Sequence, residues 1–489
     1  MRPTLEGPAG FRELLAVAWP LMISQAIHAV NLFLDRVFLA RYDGVHFAAA
    51  SPAGVTWWMS ISLGMGLVGY VSTFVAQYNG AGRGQRMGAA LWQAIHLGVL
   101  FAAASLVLTF VSGPFFQWVG HEGGQPALQA AYFNVLCYGT LAAMLNAALS
   151  GYFTGQGRTR FVLAVNSVSA VVNALLNWWF IFHGGPFDLV EKGIVGAAWA
   201  TVLGTMASTA IFLWFALRAR ERRSHGTGAW AIDPDLMRRM VRFGLPSGFH
   251  MLVDMIAFNV FFLVVGKFGL VAQIASSMAM TINMLFFVPA MGLHQAVQVL
   301  TGKFLAAGRR EEAEQATGNA TILSVSYFAA FTVAVVAAPG LFLGAYGTVE
   351  LDNPALAAEV DRLGRLLLLV VALYSLFDGV CLVLAGALKG AGDTKWVMWV
   401  SLGLSQALLT LPCLALWWFS ATLDPRTGVM LCWGALWLYI CVITAFYIGR
   451  YRGGRWMDMR VIEEAPPLIS LEETPRLAPA RERAEASPA

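Results

Sequence analysis

Twelve apolar runs, each about as long as a helix needs to cross a bilayer's hydrocarbon, leave this backbone almost one option. In oil, every N–H and C=O must find its partner within its own segment, so isolated runs of this kind are helices. The first six lie near residues 14–39, 47–77, 88–112, 129–154, 160–183 and 194–217. A second six lie near 243–266, 271–303, 318–346, 363–388, 395–420 and 428–449. Composition agrees: 58% of residues are hydrophobic, 12% are charged and mean hydropathy is +0.64. A soluble domain would carry about twice that share of charge.

The two sets of six repeat one another. Gly151-Tyr-Phe-Thr-Gly-Gln-Gly-Arg-Thr159 returns as Gly386-Ala-Leu-Lys-Gly-Ala-Gly-Asp-Thr394. Gly82-Arg83 returns as Gly308-Arg309, Pro20 as Pro246, and Gly196-Ala-Ala-Trp199 as Gly434-Ala-Leu-Trp437. The expected fold is therefore all-α and integral to the membrane, with twelve transmembrane helices in two six-helix bundles. An even number of spans per half makes the repeats parallel, related by a pseudo-two-fold axis along the membrane normal. The halves divide as an N-terminal lobe (1–217), a cytoplasmic linker (218–242), a C-terminal lobe (243–450) and a charged, proline-bearing tail (451–489) expected to be disordered. Thirteen mostly polar residues lead into the first run, which is too long for a signal peptide and is expected to be retained as a span.

Basic residues orient the bundle. With the N-terminus inside, only seven of the 32 Lys and Arg fall outside: Arg36, Arg41, Lys192, Lys267, Arg362, Arg365 and Arg426. Lys389 and Lys395 are counted here with the inner loops. The positive-inside rule then puts both termini in the cytoplasm of a multi-pass cell (inner) membrane protein. The net charge of +4 is small and its basic residues sit between apolar runs, so nucleic acid is not an expected partner. Five cysteines lie inside apolar runs without a CxxC pair, which favours packing over disulfides or zinc. No HExxH, GxSxG or phosphate-binding loop occurs, so the chain reads as no enzyme and as needing no cofactor.

An aspartate at the bilayer centre costs roughly 2.5–3.5 kcal/mol on insertion scales, yet Asp35 (span 1), Asp254 (span 7) and Asp378 (span 10) all lie within apolar runs. None has a Lys or Arg three or four residues away. A buried carboxylate without a fixed cation either holds its proton more tightly or binds a mobile cation. Solvated or structural roles are the alternative for each. Asn173 and Asn177, at i and i+4, put two amides on one face of span 5. With Thr201 on span 6 and Asp35 they offer oxygen ligands or relay partners, the alternative being an interhelical clamp. His28, His250 and His294 read as hydrogen-bonded packing residues, although His250, one turn before Asp254, is placed to modulate it.

These landmarks resemble the multidrug and toxic compound extrusion (MATE) family of efflux transporters, in its NorM-like branch. The resemblance covers about residues 11–450 and rests on Pro20 to Asp35 followed by Ala48-Ala-Ala, on Gly44, and on Gly244-Leu-Pro246 leading to Asp254. It rests also on Gly193-Ile-Val-Gly-Ala-Ala198 and on Asp378 before Gly386–Thr394. It implies a V-shaped pair of bundles exporting organic cations in exchange for inward Na⁺ or H⁺. Asp35 matches the family's span 1 acid, Asn173 and Asn177 its span 5 polar partners, and Asp378 the span 10 acid. Asp254 stands where the branch usually has glutamate, and Arg36 where a small polar residue is usual.

The expectation is thus a cation-coupled antiporter that works by rocking its two lobes. Asp35, Asn173, Asn177, Thr201, Asp254 and Asp378 would couple the ion. Asp35 and Asp378 would also meet substrate, and a sodium ion, if that is the coupling ion, would sit at Asp254 and Asp378. Its partners would be a small organic cation, the coupling cation and the bilayer, around a monomeric protein. The alternative is a lipid or lipid-linked saccharide flippase of the same superfamily, which would need a basic, hydrated groove for phosphate.

Overall fold

The computed structural model describes residues 7, 9–119, 124–185, 190–345 and 354–463. The first bundle contains α1 (Phe11–Tyr42), α2 (Gly44–Gly69), α3 (Val71–Gly80), α4 (Gly84–Ser105), α5 (Leu108–Val119), α6 (Gln125–Tyr138), α7 (Thr140–Gly155), α8 (Thr159–His183) and α9 (Ile194–Ala216). A short helix, α10 (Ala219–His225), lies between the bundles. The second contains α11 (Pro234–Gly266), α12 (Leu270–Ala306), α13 (Arg310–Ala337), α14 (Pro339–Ala345), α15 (Pro354–Ala391), α16 (Thr394–Ser405), α17 (Leu411–Trp418) and α18 (Pro425–Arg452). Among the described residues there is no β-strand. Eleven helical segments are long and apolar enough to span, and the pair α6–α7, bent by 45° at Gly139, makes the twelfth.

Local chemistry explains the breaks. Asp43 ends α1 and caps α2, its carboxylate accepting from the N–H groups of Val45 (2.7 Å) and His46 (3.1 Å), which turns the chain between spans 1 and 2 within one residue. At Gly139 a Cβ would collide with Val202, so only glycine permits the bend to sit that close to α9. Pro412 lacks an N–H and crowds the preceding turn. The helix answers with a π turn over Gln406–Thr410 between α16 and α17.

The bundles exchange ends. Leu14, Val17, Ala18 and Leu21, from the first half of α1, belong to the apolar core of the second bundle. Leu236 and Met240, from the first half of α11, belong to the core of the first. This reciprocity is the 6+6 pseudo-symmetry at the level of packing. It gathers the contacts between lobes at the end that carries the described chain ends and the linker. There Tyr70 Oη donates to the Lys389 carbonyl (2.6 Å), Gln77 Nε2 to the Gly390 carbonyl (2.9 Å), and Gln298 Nε2 to Thr73 Oγ1 (2.7 Å). Lys303 pairs with Glu13 at 3.0 Å. Glycines let the backbones touch: a Cβ at Gly66 would run into Gly248, and one at Gly292 into Met22.

The region between the lobes is docked along the first bundle. Gln85 Nε2 donates to the Arg223 carbonyl (2.6 Å), Trp92 Nε1 to that of Thr227 (2.9 Å) and Gln93 Nε2 to that of Ala231 (3.0 Å). Glu221 accepts from Arg158 (2.6 Å) and Tyr152 (3.0 Å).

Two expectations need correction. The tail was expected to be disordered from residue 451, but its described part, 451–463, is folded. A 3₁₀ turn at Arg455–Asp458 buries Trp456, which stacks on Tyr451 (centroids 4.8 Å apart), and Val461 and Ile462 are buried. Three apolar side chains with places to pack outweigh the polar composition around them. Residues 464–489 lie outside the described residues. Lys389, assigned to an inner loop, lies within α15 and is only 7% exposed. The helix runs on through Ala391 and ends at Gly392, whose φ of +107° favours glycine.

Candidate ion and substrate site

In the first bundle the expected polar set comes together. Pro20 starts no break in α1, which carries Asp35 on the side facing α8. Asp35 is 9% exposed and Asn177 is wholly buried. Asn177 Nδ2 donates to Asp35 Oδ1 at 2.5 Å and also lies 3.1 Å from Asn173 Oδ1. Helical spacing produces this fan, since residues four apart share a face. Thr201, on α9, lies near Asp35 and donates its hydroxyl to the Ala197 carbonyl at 3.1 Å. Asn177 Oδ1 and Arg36 Nη1 are buried without a hydrogen-bond partner among the described residues. The site thus holds a carboxylate, amide oxygens and a hydroxyl, all hard oxygen ligands of the kind alkali and alkaline-earth cations take. Ser24 on α1 and Asn166 on α8, bonded at 2.7 Å, brace the same helix pair nearer the terminus-bearing end.

The second bundle assembles a different set. Asp254 on α11 accepts from Ser401 Oγ on α16 at 2.9 Å. His250 Nδ1 lies 3.4 Å from Asp254 Oδ2 and 3.2 Å from Lys389 Nζ, and its Nε2 is 3.5 Å from the Tyr447 hydroxyl. One imidazole nitrogen therefore faces both an ammonium and a carboxylate. Asp378 on α15 is partly buried, lies within electrostatic range of Asp254, and has no hydrogen-bond partner among the described residues. Two carboxyl groups and one ammonium share this neighbourhood. His294 spends its Nδ1 on the Leu382 carbonyl at 2.8 Å and so packs α12 against α15.

Neither Ser401 nor Lys389 is marked by the sequence as a residue of this site. Ser401 carried no signal, being one hydroxyl in an apolar run. Lys389 had one that pointed elsewhere, because its glycine-rich context reads as a loop. The two acid sets lie in separate lobes, Asp35 with Asn173, Asn177 and Thr201 in one, Asp254 with Asp378 in the other. Among the described residues no three His, Cys, Asp or Glu converge as metal ligands.

Twelve spans in two pseudo-symmetric lobes, each with its own polar centre in the membrane, define a polytopic protein of the two-lobed carrier class. The MatE family model matches residues 20–179 and 246–414, one segment in each lobe, and the chain belongs to that family of transporters. A probable multidrug resistance protein NorM from Bradyrhizobium diazoefficiens is 28% identical over 394 residues, covering 79% of this chain and 82% of that one. Among solved structures, a MOP-superfamily transporter from Pyrococcus furiosus, for which reversed polarity of the binding pocket suggests a different function, superposes with a TM-score of 0.81 at 17% identity, over 93% of this chain and 99% of that chain. A multidrug resistance MATE transporter in an outward-facing conformation gives 0.80 at 17% identity over the same shares. At this identity the structures speak to the fold alone.

Proposed function

We propose that the chain is an antiporter that exports organic cations in exchange for Na⁺ or H⁺ across the cell (inner) membrane, as a monomer. The observation that carries this reading is the presence of Asp35, Asp254 and Asp378 on spans 1, 7 and 10, embedded in two lobes that touch at one end. Carboxylates in a weakly screening interior attract positive substrates and coupling cations alike. A positive substrate and a coupling ion that compete for the same negative charge are thereby exchanged rather than carried together. One charge crossing 100 mV releases about 2.3 kcal/mol, which is enough to drive a useful substrate gradient.

The distribution of Lys and Arg supports a cytoplasmic assignment for the end that carries the described chain ends and the linker. On that assignment the lobes are closed toward the cytoplasm, and loading substrate from inside requires parting Tyr70 from Lys389, Gln77 from Gly390, Gln298 from Thr73 and Lys303 from Glu13. Rocking of the lobes about their shared helices would do this. The flippase alternative is less well supported, since Arg36 and Lys389, the cationic residues within the spans that lie near the acid sets, each stand beside acids rather than lining a basic groove.

The test is ethidium transport by the purified protein in vesicles, with sodium and proton gradients imposed separately. Ethidium should move against its gradient only when one of them is present. Asp35→Asn and Asp378→Asn should each abolish that uphill movement, and unchanged transport in both variants would refute the coupling assignment.

A further inference from the structure

A cavity of about 660 Å³ opens at the terminus-bearing end, away from the acids. Arg239 of α11, Arg310 at the start of α13, and Met457, Asp458, Arg460 and Ile462 of the folded C-terminal segment line it. Three guanidinium groups therefore face one carboxylate, an excess of two positive charges. Asp458 pairs with Arg310 at 2.6 Å, both side chains being more than half exposed. Arg239 reaches only the Val461 carbonyl, at 3.5 Å. Arg460 has no ion-pair partner among the described residues. By contrast, neighbouring Arg309 is engaged by Glu312.

From this geometry we infer a binding site for a phosphate-bearing anion, held between the ends of α11 and α13 and the C-terminal segment. Guanidinium groups match phosphate in planar, two-point hydrogen bonding and are weakly hydrated enough to give up water for it. The cavity sits beside the first turns of two membrane-spanning helices, α11 and α13. Met457 and Ile462 add an apolar wall beside the charges, which suits a headgroup attached to a chain. Basic pockets between helix ends on the cytoplasmic side are where anionic lipids are held. A phosphate here would replace Asp458 on Arg310 and join the C-terminal segment to both helices, so its occupancy should stiffen that segment. This site is independent of the transport reading, because its ligand neither crosses the membrane nor meets Asp35, Asp254 or Asp378.

The experiment uses the full chain in nanodiscs of phosphatidylcholine with and without phosphatidylglycerol, followed by native mass spectrometry, and a separate titration with inorganic phosphate in detergent. Phosphatidylglycerol should be retained in preference to phosphatidylcholine. Arg239→Gln and Arg460→Gln should each weaken retention about fivefold, as expected per basic residue near an anionic surface. Arg426→Gln, exposed at the far end, should retain lipid as wild type does. Binding of inorganic phosphate without lipid preference would support the same site with a soluble occupant. Absence of both, or wild-type binding in the Arg239→Gln/Arg460→Gln double variant, would overturn the inference. Should that variant not fold, wild-type retention that is indifferent to salt would overturn it equally, since phosphate contacts weaken as salt rises.

Discussion

Asn177 has two acceptors and one amide nitrogen to serve them. Its Nδ2 reaches Asp35 at 2.5 Å and Asn173 at 3.1 Å. Removing it strips a buried carboxylate of its donor and also removes one of the polar ties between α8 and α1, whereas removing Asn173 leaves the carboxylate served. Thermal unfolding in detergent should therefore find Asn177→Ala less stable than Asn173→Ala by roughly 1 kcal/mol, the scale of one such bond in membrane proteins. Equal losses would mean that the asparagines act only as a packing pair. At this scale the sequence was readable where helical periodicity governs, as in the i, i+4 asparagines and the one-turn step from His250 to Asp254. It was unreadable where contacts join distant segments, such as Ser401 with Asp254, 147 residues apart. It misled where a motif's glycines hid a continuing helix, as at Lys389. Arg36 is the instructive intermediate: its oddity beside Asp35 was plain, but that one of its nitrogens is buried and unpartnered depends on α2 and α6 closing around it.

Among elements, the C-terminal segment after α18 gathers a cluster of polar contacts. Glu463 accepts from Tyr78 (2.7 Å), Arg83 (2.6 Å) and Arg86 (3.2 Å), while the Val461 N–H donates to Gln77 Oε1 at 2.9 Å. A Cβ on Gly392 would press Val461 at 2.9 Å, so the segment lies directly on the end of α15. It therefore works as a strap across the closed end of the lobes. Burial alone would raise the Glu463 carboxyl, but Tyr78, its own backbone N–H, Arg86 and Arg83 together hold it below the usual carboxylate range. A carboxyl lowered on folding stabilises the folded form above its unfolded value and loses that effect as pH falls through the folded one. Protection of α3 amides, taken relative to the intrinsic exchange rate at each pH, should accordingly be high at neutral pH and fall below the ordinary range of glutamate titration. Glu463→Gln should be less protected at neutral pH and show little further loss of protection on acidification. A variant that matched wild type at both pH values would deny the strap its role. Composition hid this element, because one tryptophan and a Val-Ile pair are a faint signal within a charged, proline-bearing stretch.

For the whole molecule, closeness of the lobes depends on places without side chains. Gly66 meets Gly248, Gly248 meets Leu63, and Gly292 meets Met22. Adding bulk at one of these wedges the lobes apart at the closed end without touching an acid. Gly292→Leu should therefore lengthen the distance between spin labels at Gln85 and Glu311, both exposed at that end, and abolish ethidium export while leaving the protein folded in detergent. An unchanged distance with export lost would place the defect elsewhere than closure. The number of spans, their grouping in sixes and the repeat were all legible, since length, apolarity and spaced landmarks report them directly. The exchange of helix halves between cores was not, because α1 and α11 look alike in sequence whichever bundle receives their first turns.

That exchange and the strap together impose an order on biogenesis. Tyr78 and Glu463 are separated by 385 residues, so a contact begun near the start of translation waits for Glu463 to leave the ribosome. Neither half can finish its own core without a piece made with the other, and a nascent chain halted before the strap would sit in the membrane with the seam between its lobes unsewn.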